Sequence, residues 1–420
     1  MKVALLAGTH SGCGKTTVML ALLQYLKNQA LKPRAFKVGP DFLDPLWHAA
    51  VTGSPSYNLD TQMVGITESR RVLNRLAGQT EYGLIEGVMG MFDGRSGVGQ
   101  AGSSVDLAAQ LAVPAILVVD ARGIAGSIVP LVSGYRDFAR QRGVEIAGIV
   151  ANRVGGEFHA RLLSEALADY GLPPVLAWLD KAAPGLEERH LGLTIPDQAR
   201  IPDFQAALRV EHEALLAAFA ECVPGDVAES ETAGLQGKTI AVARDEACCF
   251  IYPGNVDYLL EQGARLAWFS PVAGQPVPAA DALWLPGGYP ELYVRQLSES
   301  VSLASIKAFI ESGKPVLAEC GGTMLLGEAL IDSQGKRWPM ANVLPFDSSM
   351  QSKLAALGYR EDASGMRGHE FHYSVRESRQ AFTPGFVCNG DQGIRYKNLR
   401  ASYNHWYFAS AGKAITEWLT

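Results

Sequence analysis

At 420 residues the chain is long enough for two or three domains, and its composition is that of a globular protein able to bury a sizeable core. A net charge of −6 carries no basic footprint, which argues against nucleic acid as the main partner, and no apolar run approaches the roughly 18 residues of a membrane span. Six cysteines make no dense disulfide framework in a chain of this length, and strand-like residues stand where a secretory signal would begin, so a reducing cytoplasm is the expected compartment.

Residues 3–7 (Val-Ala-Leu-Leu-Ala) form an apolar, strand-like run. A loop of small residues follows, and Lys15-Thr16-Thr17 opens an amphipathic helix carrying Val18, Leu20, Leu22, Leu23 and Leu26. Strand, Gly-rich loop and helix in this order make a phosphate-binding loop. Gly12 and Gly14 let the backbone turn and present N–H groups to phosphate oxygens, and the helix N-terminus adds its partial positive charge. Lys15 is placed to reach the β- and γ-phosphates and Thr16 to ligate Mg²⁺. The strict pattern needs Gly at position 9, where Thr9 stands, Gly8 being one residue too early. This looser loop, Gly-Thr-x3-x-Gly-Lys-Thr from Gly8 to Thr16, resembles that of dethiobiotin synthetase and its relatives, which use ATP to phosphorylate a carboxylate.

Residues 34–38 read as a second strand running into Gly39-Pro40-Asp41-Phe42-Leu43-Asp44-Pro45. Carboxylates at the C-terminal end of a parallel strand lie where such sheets bind ligands: Asp41 toward Mg²⁺, Asp44 toward the phosphorylated group. A plain Asp-Pro turn is the alternative. A third strand, 82–88, contains Glu86 within its apolar run; a buried carboxylate there needs a cation, for which Mg²⁺ at the phosphate loop is the candidate, whereas a solvent-facing Glu would need none. Gly90 to Gly94 follows, with Asp93. Runs at 113–121 and 145–152 suit parallel strands covered on both faces, with a helical stretch at 126–140 between them. The alternation predicts a doubly wound α/β domain. Asn152, just past its strand, is placed either to hydrogen-bond a nucleotide base or to cap a helix. Arg189 and His190 suit an anionic substrate, or Arg189 pairs with a neighbouring Glu.

Residues 224–237 are small and polar with little periodicity and read as a linker, dividing the chain into domains at 1–223 and 238–420. A new sheet begins at Lys238. A strand at 282–285 ends in Pro286-Gly287-Gly288, where Gly288 can aim its N–H at an oxyanion. The apolar run before Cys320-Gly321-Gly322-Thr323 leads straight into a helix, which is a nucleophile elbow with Cys in place of Ser; the Gly321 N–H is the second oxyanion donor, and the helix N-terminus favours a thiolate. The stretch Gly368-His369-Glu370-Phe371-His372 lacks the i, i+4 helical spacing of a zinc site. His405 is the candidate base for Cys320.

Together these stretches resemble the cobyrinic acid a,c-diamide synthase family of cobalamin biosynthesis over essentially the whole chain. The marks are the phosphate loop, Lys37-Val38-Gly39-Pro40-Asp41, Glu86-Gly87-Val88-Met89-Gly90, Arg189-His190-Leu191-Gly192-Leu193, Leu285-Pro286-Gly287-Gly288-Tyr289-Pro290-Glu291, Ala318-Glu319-Cys320-Gly321-Gly322, Gly368-His369-Glu370-Phe371-His372-Tyr373-Ser374 and Ala401-Ser402-Tyr403 with His405. The resemblance implies an N-terminal P-loop, dethiobiotin-synthetase-like, doubly wound α/β domain joined to a C-terminal class I glutamine amidotransferase-like α/β domain. It implies amidation of the a and c acetates of a corrinoid with L-glutamine, ATP and Mg²⁺. Cys320 would be the glutaminase nucleophile, with His405 raising its nucleophilicity; Lys15 and Thr16 would handle phosphate, Asp44 and Asp93 the substrate and phosphoryl group, and Thr16, Asp41 and Glu86 the metal.

Two departures stand out: Tyr407 occupies the position, two after His405, where amidotransferases of this class commonly have Glu, and Cys248-Cys249 replaces the family's usual Phe-Ser. A Cys–His dyad is therefore expected. Rival readings are cobyric acid synthase, nickel-sirohydrochlorin a,c-diamide synthase and, from another class, a ParA-like ATPase; the last expects Lys at position 10, where His10 stands, and leaves Cys320 unexplained. Neither nucleic acid nor membrane is expected as a partner, and a homodimer is left open.

Overall fold

Residues 3–7 become the middle of a sheet whose two faces are both covered. In a computed structural model of the protein, which describes residues 1–95, 99–186, 188–189, 192–197, 200–222 and 234–419 (backbone alone at 188, 189, 192 and 193), the chain divides into two units, Met1–Ala228 and Glu229–Thr420. Most of the expected linker, 224–233, lies outside the described residues. No described helix is long and apolar enough to cross a membrane.

The first unit runs β1 (Lys2–Gly8), α1 (Lys15–Asn28), β2 (Arg34–Val38), α2 (Leu43–Thr52), β3 (Tyr57–Leu59), α3 (Ile66–Ala77), β4 (Tyr82–Glu86), α4 (Ser104–Leu111), β5 (Ala115–Asp120), α5 (Ile128–Arg140), β6 (Ile146–Val154), α6 (Glu157–Asp169) and β7 (Val175–Asp180). A two-stranded pair, β8 (Glu188–Arg189) and β9 (Gly192–Leu193), precedes β10 (Leu208–Val210), α7 (His212–Ala217) and β11 (Ala220–Glu221). The strand order is β10-β7-β6-β5-β1-β4-β2-β3, parallel except for β10, with β11 antiparallel against β1. Val3, Leu5 and Ala7 pack into one apolar cluster and Ala4 and Leu6 into the cluster on the opposite face, which is why the run is continuous rather than alternating. Each fully buried Leu of this kind contributes about 1.5–3 kcal/mol. The strand expected at 82–88 stops at Glu86, where the chain turns toward Gly90; β6 instead runs beyond 152, so Asn152 lies inside a strand and pairs with Asp120 rather than standing past the strand's end.

The second unit runs β12 (Thr239–Ala243), α8 (Pro253–Glu261), β13 (Arg265–Phe269), β14 (Ala282–Leu285), α9 (Val294–Ser298), α10 (Val301–Glu311), β15 (Val316–Glu319) and α11 (Gly321–Met324). Then come β16 (Ala329–Ile331), β17 (Arg337–Pro339), β18 (Phe346–Met350), β19 (Ala356–Glu361), β20 (Arg367–His372), β21 (Ser374–Ser378), β22 (Ile394–Tyr396), β23 (Leu399–Ser402), β24 (Asn404–Tyr407) and α12 (Lys413–Leu419). The main sheet, β13-β12-β14-β15-β23-β22, is parallel except for β22. Its strands again divide between two clusters: Ala241, Ala243, Leu283 and Leu285 on one face, Ile240, Val242, Ala282 and Trp284 on the other. Two smaller sheets, β17-β16-β18-β21 and β19-β20-β24, complete the unit.

Phe36, wholly buried in β2, anchors the strand that carries Lys37. Phe36→Ala is expected to cost about 3–5 kcal/mol, read as a lowered urea midpoint for the first unit; an unchanged midpoint would show that β2 is not part of that unit's cooperative core.

Candidate active sites in the two units

In the first unit the loop after β1 is held open by backbone geometry. Gly12 and Gly14 have φ of +81° and +89°, conformations that Cβ-bearing residues rarely adopt. A Cβ on Gly14 would also collide with the Asn152 side chain, whose amide donates to the Cys13 carbonyl at 2.9 Å. Asn152 thus braces the loop from β6; it caps no helix, since the N-cap of α6 is Gly156. Arg153 adds a second brace, donating to the Gly12 carbonyl at 3.0 Å while paired with Asp120 at 2.6 Å. Thr9 keeps its hydroxyl on His10 at 3.0 Å, and Thr17 is half-buried in the first turn of α1.

Lys15, nearly buried, donates to the Met89 carbonyl at 2.5 Å, so the β4–α4 loop meets the phosphate loop. Burial lowers its ammonium below the ordinary value, against the pull of Cys13, Glu86 and Asp44.

Beneath the loop lies a buried ionic cluster. The Thr16 hydroxyl donates to Glu86 Oε1 at 2.7 Å, and Lys37 Nζ lies 2.5 Å from Asp44 and 3.4 Å from Glu86. His48, also fully buried, stands 2.7 Å from Glu86 Oε2 and 3.0 Å from the Ser56 hydroxyl. Glu86 is therefore turned inward, not toward solvent, and the cation it meets from the protein is Lys37. Burial alone would raise the Glu86 carboxyl; Lys37, and after it His48 and Thr16, outweigh burial and hold it at about 2. Burial and Asp44 push Asp41 up to about 7, and burial and Glu86 raise Asp44. Asp41 Oδ1 accepts from the Leu43 and Asp44 N–H groups at 2.9 and 3.1 Å, so it also shapes the turn into α2. Asp93 is exposed and ties back to the Gly90 N–H at 2.7 Å.

Among the described residues no three His, Cys, Asp or Glu side chains close around a metal position. A hard cation here would take Thr16 and Glu86 from the protein and complete its shell with phosphate oxygens and water, the arrangement usual beside a phosphate loop. Sequence reading passed over His48, Arg153 and the pairing role of Lys37; the placement of Lys37 within Lys-Val-Gly-Pro-Asp was the one visible signal. The side chain of Arg189, and His190 entirely, lie outside the described residues.

In the second unit Cys320 has φ +44° and ψ −108°, a strained turn between β15 and α11. Gly322 abuts the Leu285 carbonyl so closely that no Cβ fits, and a Cβ on Gly321 would stand 3.0 Å from Gly288 N. The two glycine N–H groups expected at the oxyanion position thus come from adjacent segments. Gly287 lies between the partners: a Cβ there would touch the His405 ring and come within 3.3 Å of Cys320 Cβ. The elbow is as expected, but α11 is only four residues long. Burial pushes the thiol above its ordinary value, with Glu291 reinforcing it and the Gly321 N–H opposing, so the thiolate is not favoured at rest and a base is required.

His405 is buried, and burial holds it well below the ordinary imidazole value, in its proton-accepting form. Its ring stacks on His369, with centroids 4.9 Å apart and planes 15° apart, β20 and β24 placing the two in register. Tyr252 meets His369 Nδ1 at 3.0 Å. The stretch 367–372 is thus a strand supporting the base. Cys248 is buried and Cys249 half-buried, in the segment that pairs with Gly287 through Phe250.

Residues 4–184 match the CobQ/CobB/MinD/ParA nucleotide-binding domain, and residues 239–413 the CobB/CobQ-like glutamine amidotransferase domain. Fold and site thus define a P-loop nucleotide-binding domain joined to a glutamine amidotransferase in one chain. The chain is 39% identical to the cobyrinate a,c-diamide synthase of Herminiimonas arsenicoxydans, over 98% of this chain and 95% of that one. It is 38% identical to the hydrogenobyrinate a,c-diamide synthase of Pseudomonas aeruginosa over the same shares, and 37% to the cobyrinate a,c-diamide synthase of Salmonella typhimurium over 99% and 97%. It belongs to the cobyrinate/hydrogenobyrinate a,c-diamide synthase family, and is an amide-forming, glutamine-amidotransferase ligase.

One pH dependence follows from the second unit. Glu370, buried beside His369, accepts from His372 at 2.8 Å and Arg360 at 2.7 Å. Burial would raise its carboxyl, but these partners prevail and hold it at about 2 against an ordinary 4.5. A depressed carboxyl stabilises the fold above its unfolded value and loses that contribution as pH falls through the folded one. Glu370→Gln is therefore expected to cost on the order of 2 kcal/mol near neutrality and to flatten the stability loss between pH 4.5 and 2; urea midpoints of both proteins against pH decide it, parallel curves counting against the assignment.

Proposed function

We propose that the chain amidates the a and c acetate carboxylates of a corrinoid, cobyrinic or hydrogenobyrinic acid, through acyl phosphates made from ATP and with ammonia released from L-glutamine. The observation that carries this reading is the presence, in one chain, of a phosphate loop above buried carboxylates and of a Cys–His pair beside the closely packed Gly287-Gly288 and Gly321-Gly322 segments. The names of the relatives supply the substrate class.

A carboxylate is a poor electrophile because its leaving group would be oxide. Transfer of the γ-phosphoryl group gives an acyl phosphate that ammonia attacks, releasing phosphate. Lys15 and the loop N–H groups bind the transferring phosphoryl group and stabilise its charge. Asp44 and Asp93 orient the acceptor carboxylate, and Lys37 balances the carboxylates around it. Thr16 and Glu86 would hold Mg²⁺, with Asp41 next to them, and the ion would supply charge neutralisation on the phosphates. In the second unit His405 takes the Cys320 proton as sulfur attacks the glutamine amide, and passes it to the departing ammonia. Gly288 and Gly321 receive the oxyanion, and water then hydrolyses the thioester to glutamate.

Two assays with separate nitrogen sources test this. Cys320→Ala is expected to lose glutamine hydrolysis, and His405→Ala to lose about 10²–10⁴-fold. Both should still form the diamide from concentrated ammonium salt at alkaline pH. Lys15→Ala is expected to lose synthesis from either source, a loss on the order of 3–4 kcal/mol of transition-state stabilisation. Glutamine-dependent synthesis by Cys320→Ala would remove it as nucleophile. Mass spectrometry of products from cobyrinic acid and hydrogenobyrinic acid, offered separately, decides between the two substrates.

Glu86→Gln keeps the shape and removes the charge, so phosphoryl transfer should slow and the Mg²⁺ concentration for half-maximal rate should rise, with partial recovery at high Mg²⁺. An unchanged rate and Mg²⁺ dependence would return Glu86 to a purely structural role.

A further inference from the structure

Tyr407 stands two residues after His405, where amidotransferases of this class commonly have Glu. The parallel ladder between β15 and β23 ends at the pair Glu319–Ser402, with a last bond from Cys320 N to the Ser402 carbonyl at 2.8 Å. After Tyr403 the chain enters β24, which belongs to a different sheet and pairs with β20. The base is thus carried by one sheet and the nucleophile by another.

The Glu319 side chain spans the gap. Glu319, 2% exposed and immediately before Cys320, accepts through Oε1 from the backbone N–H of Trp406, immediately after His405, at 2.7 Å. Its other oxygen accepts from Trp284 Nε1 at 2.8 Å, and Trp284 lies on β14, the strand that leads to Gly287 and Gly288. A buried carboxylate with two N–H donors is a costly choice for packing alone, since burial disfavours its charge. The groups it joins are those that flank the nucleophile, the base and the oxyanion segment.

We propose that Glu319 is the positioning residue of the glutaminase site, fixing the separation of Cys320 and His405 through the Trp406 N–H. This rests on the reading of the second unit as a glutaminase. Glu319→Gln is near-isosteric, yet its amide can accept only one of the two N–H bonds and turns an NH₂ toward the other.

The test is a double-mutant cycle on the full-length protein with steady-state glutaminase kinetics. Glu319→Gln is expected to lower kcat by about 10–100-fold, the effect of a misplacement of about 1 Å, with KM for glutamine within about threefold. In the His405→Ala background the same change should cost no more than about threefold further, because the geometry it maintains is already lost. Losses that multiply, or a wild-type kcat for Glu319→Gln, would overturn the proposal. If Glu319→Gln does not fold, Glu319→Asp, with the carboxyl group but a shorter reach, enters the same cycle with the same expectation. Wild-type glutaminase activity in His405→Ala alone would instead overturn the reading of the dyad, so the two failures are distinct.

Discussion

Lys37 and Glu86 face each other because β2 and β4 are parallel neighbours and these two residues are partners in register. A carboxylate with no exposed surface is tolerable only beside a cation, and an ammonium buried in the same place only beside carboxylates. The pair fixes what surrounds it. Asp44 reaches Lys37 from the first turn of α2, His48 reaches Glu86 from the middle of that helix, and Thr16 reaches Glu86 from α1. Removing one member strands the others, so the cluster holds the phosphate loop and the α2 turn in a single arrangement.

The same principle, chemistry at the C-terminal ends of parallel strands, recurs in the second unit in different materials. The site is built from tight glycine contacts at Gly287, Gly288, Gly321 and Gly322 and from neutral buried imidazoles. The contrast matches the two reactions: phosphoryl transfer develops negative charge over several oxygens and calls for cations, whereas attack on an amide develops it on one oxygen and calls for directed N–H groups.

The raised thiol of Cys320 and the lowered imidazole of His405 belong together. A buried neutral Cys–His pair avoids the desolvation cost of an ion pair at rest. Burial produces both shifts, and both depend on the closeness of the packing around the elbow.

The sequence by itself determined the order of elements, the phosphate loop, the elbow and the residues at their tips, because each is local: an apolar run, then small residues at the turn, and a helix pattern directly after. The loop at Lys15 and the elbow at Cys320 were legible in this way, as was the pairing of a nucleotide domain with an amidotransferase. Only the tertiary structure decided what these residues touch. It turned Glu86 onto Lys37 and His48, set Asn152 inside β6 as a brace on the loop, and brought His369 onto His405. It also made Glu319, which reads in sequence as a plain neighbour of the nucleophile, a link between two sheets. These contacts join positions tens of residues apart through strand register and sheet switching, which no local pattern encodes.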